Sequence, residues 1–335
     1  MRSRELVSQT LEFTAPPRVP RHIWTVPWTA QTYPDELAAI QARFPDDITW
    51  SPACLRDLLK TLGDPYEIGT YTDEWGCIFE NRQRGIIGEV KEPLIKTWDQ
   101  ADRVRMPTER LGVDVEQVNA FCRATDQFIL AGMGPRPFEQ IQFIRGTETV
   151  FLDLAEGRAE FTALLDRLHQ FYLAELDAWA QTEVDGIFFQ DDWGSQKSLL
   201  ISPKTWRRIF KPLYRDYVAL AHSHGKKAFM HSDGNIAAIY PDLVEIGLDA
   251  INSQLFCMDI EELGRQYAGK ITFWGEIDRQ GLLPSGTRAE ISAAVTRVKD
   301  ALYHRGGVIA QCDFGLGANP RNVAQVFEMW EELFR

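Results

Sequence analysis

Short apolar runs that end in polar groups and pass directly into a helical pattern recur along this chain. Residues 226–235 are the clearest case. Ala228-Phe229-Met230 is followed by His231-Ser232-Asp233-Gly234-Asn235, and a helical pattern runs from Ile236 to about 246. A strand that delivers polar groups at its C-terminal end and then turns into a helix is the repeating unit of a parallel α/β sheet. When such units close into a barrel, the C-terminal strand ends build the active site. Apolar runs at 128–132, 186–190, 228–231, 250–252, 271–275 and 307–311 alternate with helical stretches at 137–144, 149–182, 203–223, 236–246, 259–267, 288–304 and 320–334. Ser202-Pro203 and Asn319-Pro320 each pair an N-cap residue with proline at the first helical position.

The first third is less regular. A helix at 4–12 is broken by Pro16-Pro17-Arg18-Val19-Pro20, and a first strand is read at 22–26. Residues 33–62 read as helical with interruptions at Pro34, Pro45 and Pro52. Residues 71–79 read as a strand or loop, 86–96 as an extended excursion and 114–125 as a helix. No Gly/Ser-rich or charged linker divides this part from the rest. The expectation is one α/β domain over 1–335, a TIM-like (β/α)8 barrel. Residues 1–125 form an N-terminal elaboration that includes the first strand, and 126–335 form the regular βα repeats. A doubly wound open sheet usually carries a glycine-rich phosphate loop after its first strand; neither GxGxxG nor a P-loop pattern occurs.

Composition narrows the function classes. The net charge is −12, from 36 basic and 48 acidic residues, and no basic run is present, which argues against nucleic acid as a partner. No apolar stretch approaches the roughly 20 residues of a membrane span, and residues 1–11 lack an apolar signal region. Five scattered cysteines without a CxxC pair suit a reducing cytoplasm. The expected partner is a small-molecule substrate, with a homodimer as one possible assembly.

The strand ends hold a non-random set: Arg136; Gln190, Asp191 and Asp192; His231 and Asp233; Asn252 and Gln254; Glu276 and Asp278; Gln311, Cys312 and Asp313. Carboxylates, an imidazole and a thiol converging on one mouth suit a metal site or an acid–base site. His231 and Asp233 lie two apart, so alternation places both on one side if the strand geometry persists. Cys312 can complete a three-ligand set, with Glu276 or Asp191 as substitutes. The plainer alternative has His231 and Asp233 bonded to each other and capping the next helix, and Cys312 as a small buried hydrophobe. Asp191, Asp192 and Glu276 are the candidate catalytic acids. Asp73, Glu74 and Trp75 are candidate pocket residues from the elaboration, with Arg136, Gln190, Trp193, Asn252 and Gln254 as further substrate contacts. Arg136 sits between two prolines and either forks a substrate carboxylate or pairs with a surface acid.

Several of these stretches together resemble the uroporphyrinogen decarboxylase superfamily. They are the opening from Ser3-Arg4-Glu5 to Pro20, Thr72-Asp73-Glu74-Trp75-Gly76, Asp191-Asp192-Trp193-Gly194-Ser195-Gln196, Ile201-Ser202-Pro203, His231-Ser232-Asp233-Gly234, and Phe273-Trp274-Gly275-Glu276-Ile277-Asp278. The resemblance implies a TIM-like barrel and one of two activities. The decarboxylating branch carries an Arg-Gln-Ala-Gly-Arg stretch whose arginines meet substrate carboxylates. Here the region from Trp24 to Thr29 reads Trp-Thr-Val-Pro-Trp-Thr and has no arginine. The other branch transfers methyl groups to or from corrinoid proteins or thiols and resembles a His-x-Cys … Cys zinc pattern. His231 keeps the histidine, Asp233 stands at the first cysteine, and Cys312 falls at the second. The resemblance therefore implies a methyltransferase or demethylase acting on a small methylated or methoxylated substrate. It further implies zinc at His231, Asp233 and Cys312, and a corrinoid carried by a partner protein. The alternative is a cofactor-free decarboxylase or lyase acting on a small carboxylate through Asp191, Asp192 and His231.

Overall fold

A computed structural model describes residues 1–335. Eight parallel strands form the central sheet: β1 Arg21–Thr25, β2 Ile48–Trp50, β6 Phe128–Leu130, β7 Gly186–Gln190, β8 Lys227–Ser232, β9 Ala250–Ser253, β10 Thr272–Trp274 and β11 Val308–Phe314. Their order is β1-β11-β10-β9-β8-β7-β6-β2, so sequence neighbours are space neighbours and β1 meets β2 across the remaining seam. A three-stranded antiparallel sheet, β3 Gly69–Thr72, β4 Ile78–Asn81 and β5 Glu89–Glu92, lies within the N-terminal elaboration. This is the nearly closed TIM-like barrel that the alternating pattern predicts.

The seam is closed partly by side chains. Asp47 N–H donates to the Arg21 carbonyl (2.9 Å). The Asp46 and Asp47 carboxylates accept from the backbone N–H groups of Ile23 (2.7 Å) and Arg21 (2.8 Å), where a ladder would offer carbonyls. Arg18 forks Asp47 at 2.6 and 2.8 Å, so that buried charge is paired. Burial pushes Asp46 up to about 7 against the bond from Ile23.

The parity of each strand sorts the core into two bodies. Val7, Leu11, Ile48, Phe128, Leu130, Phe188, Phe229, Ala250, Trp274 and Ile309 fill the barrel interior. Two of these, Val7 and Leu11, come from the helix Ser3–Leu11. The other parity, including Ile23, Ile129, Ile187, Phe189, Met230, Ile251, Phe273, Val308, Ala310, Cys312 and Phe314, packs outward under the helices. Alternation of successive side chains across a strand produces this sorting.

Three sequence expectations change. The stretch 33–62 is not continuous helix: it stops at Arg43, and Ile48-Thr49-Trp50 is a barrel strand paired with β6. Prolines at 45 and 52 hide so short a run. Residues 71–79 are a hairpin rather than one strand. Glycine 157, in the left-handed region at φ +67°, breaks the long helix into Thr147–Glu156 and Ala159–Ala180. No helix is long and apolar enough to cross a membrane.

Candidate functional site

Gln190, His231, Asn252 and Gln311 share the C-terminal end of the barrel, the first three in one register across β7, β8 and β9. Their strands alternate inward, and the loops that follow supply the charged groups. The loops after β7 and β8 touch backbone to backbone. Gly194 N–H donates to the Asp233 carbonyl (3.0 Å), and Asn235 N–H to that of Ser195 (2.7 Å). A Cβ on Gly234, which has φ +77°, would meet the Gly194 carbonyl oxygen at 2.1 Å; one on Gly194 would meet Asn235 N at 2.4 Å. Only glycine permits this approach, which explains why both acidic motifs end in Gly. The contact brings Asp192 and Asp233 to the same point, and the Asp233 N–H donates to Asp192 Oδ1 at 2.9 Å.

His231 lies between those carboxylates. Its Nδ1 is 2.6 Å from Asn252 Oδ1, and the Asn252 amide is oriented by donating to the Trp274 carbonyl at 2.5 Å. Nδ1 therefore carries hydrogen and Nε2 faces the carboxylates. Nε2 is 3.5 Å from Asp192 Oδ1 and 3.6 Å from Asp233 Oδ1. Both separations are longer than a good hydrogen bond. They match two ligand atoms sharing one tetrahedral ion at bonds of about 2.0–2.2 Å, which stand about 3.3–3.6 Å apart. Asp233 Oδ1 is buried without any hydrogen-bond donor. Asp192, His231 and Asp233 thus offer three ligand atoms within 4.8 Å of one another, with Asn252 supporting the ring from behind. One nitrogen and two oxygens fit a divalent ion. Without an ion, burial pulls the His231 pKa down, but Asp192, Asp233 and Asn252 outweigh it and raise the group to about 9. Burial pushes Asp192 up, and His231 with the Asp233 N–H more than reverses it, leaving it below its ordinary value.

The site has a second cation that sequence reasoning missed. Arg279 follows Glu276 by three residues and meets three carboxylates: Asp233, Glu276 at 3.6 Å and Asp313 at 3.5 Å. Burial lowers its pKa, yet Glu276, Asp233 and Asp313 outweigh this and hold it above its ordinary value. Glu276 is 3 % exposed; burial, helped by Asp233 and Asp313 and opposed by Arg279, raises it to about 8. Burial thus favours its protonated form. A small cavity of about 180 Å3 opens beside it, lined by Gln196, Gln254, Cys257, Asp278 and Arg279 among others. Gln254 accepts from the Gly234 N–H (3.1 Å) and from Gln196 (3.2 Å). Glu139 was also missed. It is raised to about 7 by burial first and then by Asp192, and His231 and Asp233 also act on it. Trp24 and Trp50 form the half-buried aromatic floor, with Trp24 5.2 Å from the His231 ring.

Several expected site residues lie elsewhere. Cys312 is fully buried in the outward parity. Strand β11 runs on to Phe314, so alternation turns Cys312 away from the mouth and points Gln311 and Asp313 inward. The structure thus does not bring Cys312 to His231 and Asp233; Asp192 joins them instead as the third member of the candidate group, and Cys312 is a buried residue of the core. Asp191 turns outward by the same parity and caps the helix Pro137–Arg145. It accepts from the N–H groups of Phe138 (3.0 Å) and Glu139 (2.8 Å) and from the Tyr214 hydroxyl (2.5 Å). Burial raises it well above its ordinary value against those donors. It has no open face for acid–base work.

Trp193 is fully buried and stacked on Phe138 at 4.0 Å, with its indole N–H on Tyr214. Trp75 is 1 % exposed and packs edge-on against Phe171 under the helix Ala159–Ala180. Asp73 closes its own turn, accepting from the N–H groups of Trp75 and Cys77. Glu74 joins a buried ion triad, 2.9 Å from Arg110, which also forks Glu175. Trp193 and Trp75 are packed into the core, Glu74 is spent on the Arg110 ion pair and Asp73 on its own turn. Arg136, by contrast, lines a separate cavity of about 620 Å3.

The fold and site define a parallel-barrel protein with an acidic, histidine-centred mouth at the strand C-termini. A family model for uroporphyrinogen decarboxylase (URO-D) matches residues 65–333. The chain belongs to that family. A search of curated proteins found no match. Among solved structures, a methyltransferase from Methanosarcina mazei aligns over 100% of both chains at 15% identity and a TM-score of 0.67. A B12-independent methionine synthase from Shewanella sp. W3-18-1 aligns over 91% of this chain and 87% of that one, at 12% identity and a TM-score of 0.48. At such identities the first likeness speaks for the fold.

Proposed function

We propose that the chain removes a methyl group from a small methylated substrate, with a divalent ion, zinc being the first candidate, held by Asp192, His231 and Asp233. The acceptor in this reading is a corrinoid carried by a partner protein. The observation that carries it is Asp233 Oδ1, buried without a donor and 3.6 Å from His231 Nε2. The fold shared with the Methanosarcina methyltransferase supports the reaction class. When bound, the ion supplies Lewis acidity to the oxygen or nitrogen bearing the methyl group. An N,O,O set is harder than one with thiolates and suits an ether or amine better than a thiol.

The chain's own residues do the rest. Asn252 fixes the His231 tautomer. Glu276, whose burial favours the protonated form, gives its proton to the departing heteroatom as the carbon–heteroatom bond breaks and the methyl passes to the acceptor. Arg279 stabilises the carboxylate left on Glu276. The test is metal analysis of protein purified without an affinity metal, followed by a screen of methylated substrates with reduced cobalamin. Wild type should hold a stoichiometric divalent ion and form methylcobalamin, and Asp233→Asn should lose both. A wild-type protein that neither holds nor takes up any divalent ion refutes the reading.

One observation favours a second reading. His231 Nε2 faces the carboxylates of Asp192 and Asp233 at 3.5 and 3.6 Å, which against burial favour its protonated form and raise it to about 9, as suits a proton donor to a carbanion. In a carboxy-lyase the bond to the departing carboxylate breaks, carbon dioxide leaves, and the carbon takes that proton. This reading predicts full activity after chelation, and it loses Asp191 from its original acid–base set.

A further inference from the structure

The cavity of about 620 Å3 lies between the three-stranded sheet and the helix Pro137–Arg145. Phe79, Val90 and Phe143 give it apolar walls, and its charged groups are Arg136 and Lys91 with Glu89, Glu139 and Glu148; Lys91 is paired with Glu89. The Arg136 guanidinium rests over the Phe143 ring, 5.1 Å from its centroid. It makes no salt bridge and no side-chain hydrogen bond. The other arginines and lysines without such a partner are exposed, whereas Arg136 is half-buried; Arg279, in the barrel mouth, meets three carboxylates. Arg136 is held in place by Pro135 and Pro137, and the Gln190 N–H donates to the Pro135 carbonyl at 2.9 Å. This ties the cavity to the mouth end of β7. The N–H of Glu139, on the same wall, donates to Asp191 Oδ1 at 2.8 Å, so this wall is tied to the residue that precedes Asp192.

We propose that this cavity binds a carboxylate with an apolar or planar body, the carboxylate forked on Arg136 and the body against Phe143 and Phe79. A guanidinium presents two parallel N–H donors that match a carboxylate, and the cavity is within the usual size range for small-molecule sites, about 300–1,000 Å3. The substrate class is then a methylated carboxylic acid whose methyl end points to Asp192, His231 and Asp233. The proposal rests on the methyl-transfer reading for that methyl end only; the anion site stands on Arg136 and the cavity.

The experiment is direct binding to metal-free protein, so that turnover plays no part. The probes are 4-methoxybenzoate and its uncharged isostere 4-methoxybenzamide, with phenylacetate and hexanoate as further carboxylates. Wild type should prefer 4-methoxybenzoate over the amide by at least about tenfold, as expected for one charge-assisted contact. Arg136→Gln should abolish the preference with an unchanged circular dichroism spectrum, and Arg136→Lys should retain part of it. Three results overturn the proposal: equal binding of acid and amide, a preference that survives Arg136→Gln, or no saturable binding of any carboxylate at millimolar concentration. A preserved preference in a protein that transfers no methyl group to cobalamin refutes the methyl-transfer reading and leaves the anion site standing.

Discussion

Asn252→Ala isolates the group that orients the candidate metal ligand. The side chain is fully buried and makes two bonds, accepting from His231 Nδ1 at 2.6 Å and donating to the Trp274 carbonyl at 2.5 Å. Alanine leaves both partners buried and unsatisfied. Each such group costs about 1–3 kcal/mol, so the metal-free protein should lose about 2–6 kcal/mol. Loss of the acceptor behind a ligating imidazole typically lowers metal affinity about 10–100-fold. The two effects separate in Asn252→Asp. Aspartate keeps an acceptor for Nδ1–H and so restores metal affinity, but it sets a carboxylate oxygen against the Trp274 carbonyl, so the stability deficit remains. Urea unfolding of metal-free protein reads the first effect, and competition with a chromogenic chelator reads the second. Wild-type metal affinity in Asn252→Ala, or affinity in Asn252→Asp as weak as in the alanine variant, would refute the claim that His231 is oriented through Nδ1.

Cys312→Ala should leave metal affinity unchanged and cost about 1–2 kcal/mol of stability, because the thiol packs outward in the core; a large drop in affinity by chelator competition would restore Cys312 to the ligand set. Trp75→Ala should cost about 3–5 kcal/mol in urea unfolding without changing substrate affinity in the folded protein, since the indole packs on Phe171 and Tyr172. Asp46 rises from its ordinary 3.8 to about 7, so the folded state binds its proton more tightly than the unfolded chain. Its contribution is full below about pH 4 and lost as the pH rises to 7. Asp46→Asn keeps an acceptor for the Ile23 N–H and should stabilise the chain by up to about 4 kcal/mol at pH 8 and by little at pH 4; thermal melts that show no pH-dependent difference would contradict this.

The barrel was legible because each βα unit announces itself locally. The runs around Phe188, Phe229 and Phe273 are apolar on both parities, as strands covered inside and outside must be. The polar residues that follow them mark the mouth. The exception was Ile48-Thr49-Trp50, a strand of three residues whose pairing with Phe128–Leu130 no local pattern reveals. His231, Asp192, Asp233, Asn252 and Glu276 were all visible at strand ends, and the structure brings them to one mouth. Arg279 carried a weak signal, three residues after Glu276. Trp24 stands in the stretch that corresponds to the decarboxylating branch's substrate-binding arginines, a signal that went unused; Glu139 and Trp50 carried none.

By itself, the sequence determined the parallel α/β repeat and which end of the barrel would carry chemistry, since hydrophobic period and turn residues are local properties. Only the tertiary structure decided which of two adjacent residues faces the mouth. Asp192 faces in and Asp191 out, and Asp313 faces in and Cys312 out, because side-chain parity depends on where each strand stops, and pairing with neighbours sets that. Tertiary structure also decided that Gly194 meets Gly234 and so places Asp192 against Asp233. It set Glu74 against Arg110 and Trp75 against Phe171, both far along the chain. Such contacts join residues tens of positions apart, and no local pattern encodes them.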